Sequence, residues 1–418
     1  MTEPLKNPGQ VPESYDPRTP EIVNMVEEAQ AKTEAQSAFQ AASSSGGSGS
    51  IPNIHRLADG MKGENYWFNA CAAYVMEVLG EPDYDYCFFA GLTGDNFAQM
   101  YAYGKFRGDG VTDYLQDGNH IESVFTACGY ESTVVFKKDL LENREAHLKT
   151  LMDYIDKGVP VIQFGYGCDG PPWGVFIGYE EGGRTLLFAT GNKDEPWRVP
   201  LDEAATNWIF VGEKKEQKDL RQLYRDAIYN LPKLLTTKTE EYCFGAEAFR
   251  AWAADIENGK FDSMKPEKFD DWFSYTVYVC ALATNSGGSQ DFMRRTMKLN
   301  PDLSFLKDVC YQYRVTGMLW NSREDGWYLY DCPKNHGEPC RKDQGCRNCK
   351  QLTPEQAEYK KRYKGVKDLE KLGGGFNVKL KTLQKPSRKR AKIVAVIRQC
   401  ADCMDEVVRI IEQGVQEA

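Results

Sequence analysis

Between residues 159 and 211 the chain settles into period-two runs, and that stretch limits the folds open to it. Short apolar segments at 159–165, 173–180, 184–190 and 208–211 follow in quick order and are rich in β-branched and aromatic residues. Gly182 and Gly183 sit between two alternating runs, the signal of a hairpin turn. Upstream the spacing is helical. In GENYWFNACAAYVMEVLG (63–80), Ala72, Ala73, Val75, Met76, Val78 and Leu79 recur on one face before Gly80. Residues 121–128 and 142–157 read as further helices ended by Gly129 and Gly158, with a short strand at 133–136 between them. Helices followed by neighbouring strands predict an α+β fold with an antiparallel sheet. After the charged junction EKKEQKD (213–219) the spacing is helical almost throughout, including 220–235, 246–256, 268–283, 292–298, 303–319 and 387–413. The chain thus divides into 1–42, 43–50, 51–212 and a mostly α-helical 213–418.

Composition narrows the partners. Of 418 residues, 41% are hydrophobic and 12% aromatic, enough to build a core and too many for a disordered chain. A formal charge of -9 argues against nucleic acid or an anionic membrane as the main partner. No run reaches transmembrane length, and the polar neighbours of Met1 do not read as a signal peptide. Thirteen cysteines without a secretion signal point to thiols kept free or metal-bound in a reducing, cytoplasmic setting.

The first 50 residues differ in kind. Five prolines (Pro4, Pro8, Pro12, Pro17, Pro20) keep the start extended, and residues 22–42 favour helix with a thin stripe of Ile22, Val23, Val26, Ala29 and Phe39. Such a helix is marginal alone and needs a groove. SSSGGSGS (43–50) has the composition of a flexible, engineered linker between fused pieces. The segment 20–42 is then a peptide tethered to the body, with a tag or a natural hinge as the other reading.

Cys71 stands where an aromatic loop turns into the apolar helix. A cysteine in a first helical turn feels the positive end of the dipole, which lowers its pKa and favours the thiolate. The competing reading is a small apolar core residue. NACAAYVMEVLG, then VPVIQFGYG, then WGVFIGYEEGG, in that order, resemble the papain-like cysteine peptidase superfamily. More narrowly they resemble the C39-type peptidase-like group and the related N-terminal domain of the butirosin-biosynthesis H protein. The resemblance covers roughly residues 60–212, under half of the chain, and implies a helical lobe against an antiparallel sheet. Resembling proteins also carry a helical appendage with a GAEAFRAW-like helix.

In active members of that group the cysteine attacks an acyl carbon, a histidine on the GY strand takes its proton, and an Asp or Asn orients the histidine. A glutamine ahead of the cysteine helps hold the oxyanion. Carried onto this chain, Cys71 is the nucleophile, Asn65 takes the glutamine's place, and Asn192 or Asp194 is the orienting residue. The histidine is absent. Pro171, Pro172, Trp173 and Gly174 fill its place, and His55, His120, His147 and His336 all fall elsewhere. The resemblance therefore implies a degenerate enzyme that binds a peptide or small ligand beside Cys71, the segment 20–42 being one such peptide. Trp67, Phe68, Tyr166, Trp173 and Trp197 would line the groove. The alternative is a cysteine acyltransferase or peptidase with a non-standard base, for which His55 or His120 are the candidates.

A second constellation lies at 331–350, DCPKNHGEPCRKDQGCRNCK. Cys332, His336, Cys340, Cys346 and Cys349 are soft ligands in a polar loop, and Cys346 with Cys349 forms a CxxC knuckle. The expectation is a structural zinc, against a reduced exposed insertion; the CxxC of Cys400 and Cys403 lies in a helical run and reads as core. Metal analysis of the purified protein should find about one zinc per chain, lost on Cys346→Ser. A metal content near zero would end the idea.

Overall fold

The computed structural model describes residues 47–52, 67–103, 108, 110–115, 118–165, 173–189, 196–269, 287–320, 368–376 and 378–417. It is an α+β protein with an antiparallel sheet and a helical C-terminal region. The described residues within 1–95 and 107–227 form one unit, and those within 96–106 and 228–418 form a second.

In chain order the first unit contains β1 (Gly49–Ser50), α1 (Trp67–Val78), α2 (Tyr86–Leu92), α3 (Gly118–Ala127), β2 (Tyr130–Val135), α4 (Lys137–Glu142), α5 (Arg144–Asp156), β3 (Val161–Phe164), β4 (Trp173–Glu180), β5 (Thr185–Ala189), β6 (Trp197–Pro200) and β7 (Asn207–Lys214). The strands run β2-β7-β3-β4-β5-β6, all pairs antiparallel, and β1 joins β4 beyond the end of β3. The edges are guarded. Glu131 and Thr133 face solvent on β2, and Arg198 and Pro200 on β6.

Alternation assigns the two faces. Val161 opposes Phe176, and both join Leu151 and Ile155 of α5, Trp208 and Phe210 in one apolar core. Phe164 opposes Trp173 on the other face, where α1 packs through Phe68. The unit is thus three layers, helix on sheet on helix.

Local chemistry sets the boundaries. Asp85 caps α2, its carboxylate accepting the Phe88 N–H at 2.9 Å. The helix expected over 142–157 is α5 (Arg144–Asp156), and a short helix that was not expected, α4, precedes it. Asn143 leaves the helical region (φ -122°, ψ 35°), and its side chain donates to Asp139 at 2.8 Å. The hairpin after β4 turns through Glu181, Gly182 and Gly183, all with positive φ, which explains the glycine pair. The strand β6 was not expected, because WRVP carries too little apolar alternation to announce itself.

The second unit is built on helices. They are the later part of α6 (Leu220–Leu235), α7 (Gly245–Glu257), α8 (Gly287–Leu299), α9 (Leu306–Trp320) and α10 (Arg388–Glu417), with a small ladder of Met100–Ala102 against Tyr242–Phe244. In α10, Ile393, Ile397, Cys400, Met404, Val407 and Ile411 form a buried stripe against α7 and α9. Ser387 caps it, accepting the Arg390 N–H at 3.0 Å. Within the basic run 385–390, Arg390 is buried and donates to Asp262 (2.7 Å) and the Glu257 carbonyl (3.0 Å). No helix among the described residues is long and apolar enough to cross a membrane.

The reading of 43–50 as a free linker is corrected at its end. Gly49 pairs with Tyr179 and Ser50 with Gly178, the Ile51 N–H donates to the Ile177 carbonyl at 2.8 Å, and Ile51 enters the core. Gly49 lies so close to Tyr179 and Asp156 that a Cβ would come within 2.7 Å and 2.6 Å of them. Gly49→Ala should therefore destabilise the protein by about 1–3 kcal/mol in denaturant unfolding. Ser48→Ala, on an exposed residue, should stay within about 0.5 kcal/mol. Equal effects of the two changes would mean that β1 is not a built strand.

Candidate functional site

Two of the residues singled out in the first unit, Phe68 and Trp173, meet near the start of α1. Phe68 is buried and turns its ring edge-on to Trp173, with centroids 5.5 Å apart. Trp173 stacks nearly flat on Phe164, 4.8 Å away and tilted by 13°. The Trp173 indole N–H donates to Asp113 Oδ1 at 3.2 Å, and Asp113 Oδ2 accepts the Gly110 N–H at 2.9 Å. Trp67, one residue earlier on α1, is half-buried.

Cys71 lies four residues past Trp67, so it is beyond the first turn of α1, where the dipole acts. It is fully buried, and burial pushes its thiol well above the ordinary cysteine value. Among the described residues no charge or hydrogen bond offsets that cost. The expectation of a lowered thiol pKa is therefore corrected: desolvation outweighs the helix dipole. The described imidazoles are His120, half-buried on α3, and His147, whose Nε2 lies 3.1 Å from Asp139 Oδ2.

The structure separates one candidate from the rest. Trp197 on β6 pairs in register with Phe188 and packs against the α5-side core, on the sheet face opposite Trp173. It does not share a groove wall with Phe68 because strand alternation puts it on the wrong side. Asn65, Tyr166, Asn192 and Asp194 lie outside the described residues, as do Cys332, His336, Cys340, Cys346, Cys349 and the segment 20–42. Among the described residues no group of three His, Cys, Asp or Glu side chains is placed to hold a metal.

What the sequence did not reveal is a buried polar network anchored on Asn69 of α1. Asn69 of α1 donates to Asp95 Oδ2 at 2.6 Å. The Thr93 hydroxyl lies 2.9 Å from the same oxygen and 3.2 Å from Asn69 Oδ1, and Asp95 Oδ1 accepts the Val111 N–H. Asp95 and Asp113 thus hold consecutive amides, those of Val111 and Gly110, and tie residues 93–95 and 110–113 to α1 and β4. Only a Thr-Gly-Asp turn (93–95) marked the place, and such turns are common.

No family model matches the chain, and no curated protein matches it.

Burial pushes the Asp95 carboxyl up to about 6, against the downward pull of its bonds to Val111, Asn69 and Thr93. Between the ordinary value of 3.8 and about 6 the folded state holds a proton that the unfolded chain has released. This group's contribution to stability is greatest below that window and falls as pH rises through it, by up to about 3 kcal/mol. Asp95→Asn removes the titration. The stability difference between wild type and variant should move toward wild type as pH falls from 7 to 4, read by denaturant unfolding. A difference that stays flat across that range would rule out the raised carboxyl.

Proposed function

We propose that the first unit is a papain-like, C39-like protein that has given up acyl chemistry and works by binding a peptide or small ligand near the start of α1. The observation that carries this reading is the state of Cys71, sealed in the interior with its thiol held neutral by desolvation. Two features support it. Pro171, Pro172, Trp173 and Gly174 stand where the resemblance calls for an imidazole, and the Trp173 indole is already committed to Asp113 and Phe164. Asn69 and Asp95 satisfy one another, and Asp95 holds the Val111 amide. Trp67, half-buried at the head of α1, is a candidate aromatic for contact with a ligand. The second reading, a cysteine acyltransferase or peptidase with a non-standard base, keeps the order of its motifs as support.

Thiol alkylation separates the two. In the native protein near neutral pH, Cys71 should resist iodoacetamide while an exposed thiol reacts, and should be labelled only after unfolding. Peptide mapping by mass spectrometry reads the site. Labelling of native Cys71 faster than free cysteine would overturn the binding reading and favour the enzyme.

A further inference from the structure

The 31 residues 371–401 carry nine lysines and arginines and not one aspartate or glutamate, in a chain whose acids outnumber its bases by 61 to 52. The structure puts most of these cations on the surface of the second unit. Lys379, Lys381, Lys385, Arg388, Lys389 and Lys392 are all exposed, and none of their side chains has an ion pair or hydrogen bond among the described residues. The fold brings a second basic segment to them. Gln384 Nε2 donates to the Met264 carbonyl at 3.3 Å, and Arg390 donates to Asp262 Oδ1 at 2.7 Å. Lys265 and Lys268, exposed and likewise without a partner among the described residues, lie within a few residues of those contacts. Within 264–268 and 379–392 the single carboxylate is Glu267.

Folding gains nothing from this arrangement. The first turn of α10 holds Arg388, Lys389 and Arg390 and no acid, at the end of the helix where the dipole favours carboxylates. Arg388 and Lys392 stand four residues apart on the helix, a repulsive spacing for like charges. A concentration of charge that works against its own helix is accounted for by a partner of opposite sign.

The patch limits what that partner is. The large apolar side chains exposed among the described residues are Tyr103, Phe136 and Leu141, and none lies in these two segments. The face therefore has no anchor to bury in a bilayer and no ring on which to stack a base. Of its eight unpaired cations seven are lysines, which are compact, strongly hydrated point charges rather than the planar forks that read phosphates and bases in nucleic acids. We propose that this face of the second unit docks reversibly, by charge alone, on an anionic lipid surface. Each cation near such a surface adds to the attraction, and acids elsewhere are screened beyond a Debye length of about 8–10 Å, so the net charge of -9 does not oppose it. The docking is independent of the Cys71 site.

Co-sedimentation of the full chain with vesicles tests it. In about 0.1 M salt the protein should pellet with phosphatidylcholine vesicles containing about 30% phosphatidylserine and stay in solution with phosphatidylcholine alone, and about 0.5 M salt should release it. Lys385→Glu with Arg388→Glu should weaken binding at least tenfold, and Lys379→Glu with Lys381→Glu, outside α10, should do the same. Lys137→Glu with Lys138→Glu makes the same change in net charge on exposed residues of the first unit and should leave binding within about twofold of wild type. Because Arg388→Glu places an acid in the first turn of α10, the first variant should melt no lower than wild type. Failure of wild type to pellet with the anionic vesicles, binding that persists in high salt, or equal losses in the patch and control variants each overturns the proposal. So does tighter binding to a DNA duplex of about 20 base pairs than to the vesicles, as a nucleic-acid site would give.

Discussion

The packing of α1 on the sheet at Trp173 is the contact from which the rest of the first unit takes its character. One indole meets Phe164 face to face and Phe68 edge to face, while its N–H is held by Asp113. That arrangement closes the space above β3 and β4 to water, so whatever α1 carries on its inner side is desolvated. Cys71, one turn past Phe68, is such a residue. In a medium of low polarity the thiolate loses more solvation than a helix dipole can return, particularly beyond the first turn.

The same closure explains why the neighbouring polar residues form a satisfied set. A carboxylate sealed beside an aromatic wall must find donors or a proton. Asp95 finds Asn69, Thr93 and the Val111 amide, and still its carboxyl is pushed upward, so burial outweighs three hydrogen bonds. A network of this kind positions a backbone segment. It offers no group to activate a sulfur, because each member is already engaged with another.

Much of the fold could be read from residue order. The strand at 173–180 and the helix at 220–235 have the boundaries their periodicity announces, and the Gly182-Gly183 turn falls where two alternating runs meet. The misses are local. The helix at 137–142 is too short to show a period of its own, and β6 hides in a segment with one strong apolar residue at each end of a charge. Residues of the 43–50 stretch look like a linker by composition, yet Gly49 is shaped to fit against Tyr179, a fact of distance that composition does not contain. The site was less legible than the fold. Phe68 and Trp173 do come together, but the Asn69–Asp95 and Asp113–Trp173 bonds join residues 26 and 60 positions apart, and no local pattern predicts such partners.

By itself the sequence determined the order of helices and strands, the antiparallel character of the sheet and the apolar faces, because periodicity and turn residues act over a few positions along the chain. Only the tertiary structure decided that Cys71 is sealed, that Trp197 lies across the sheet from Trp173, and that two aspartates hold the segment beside α1. Those outcomes depend on which surfaces exclude water from one another, and exclusion of water is a property of packed layers rather than of neighbouring residues.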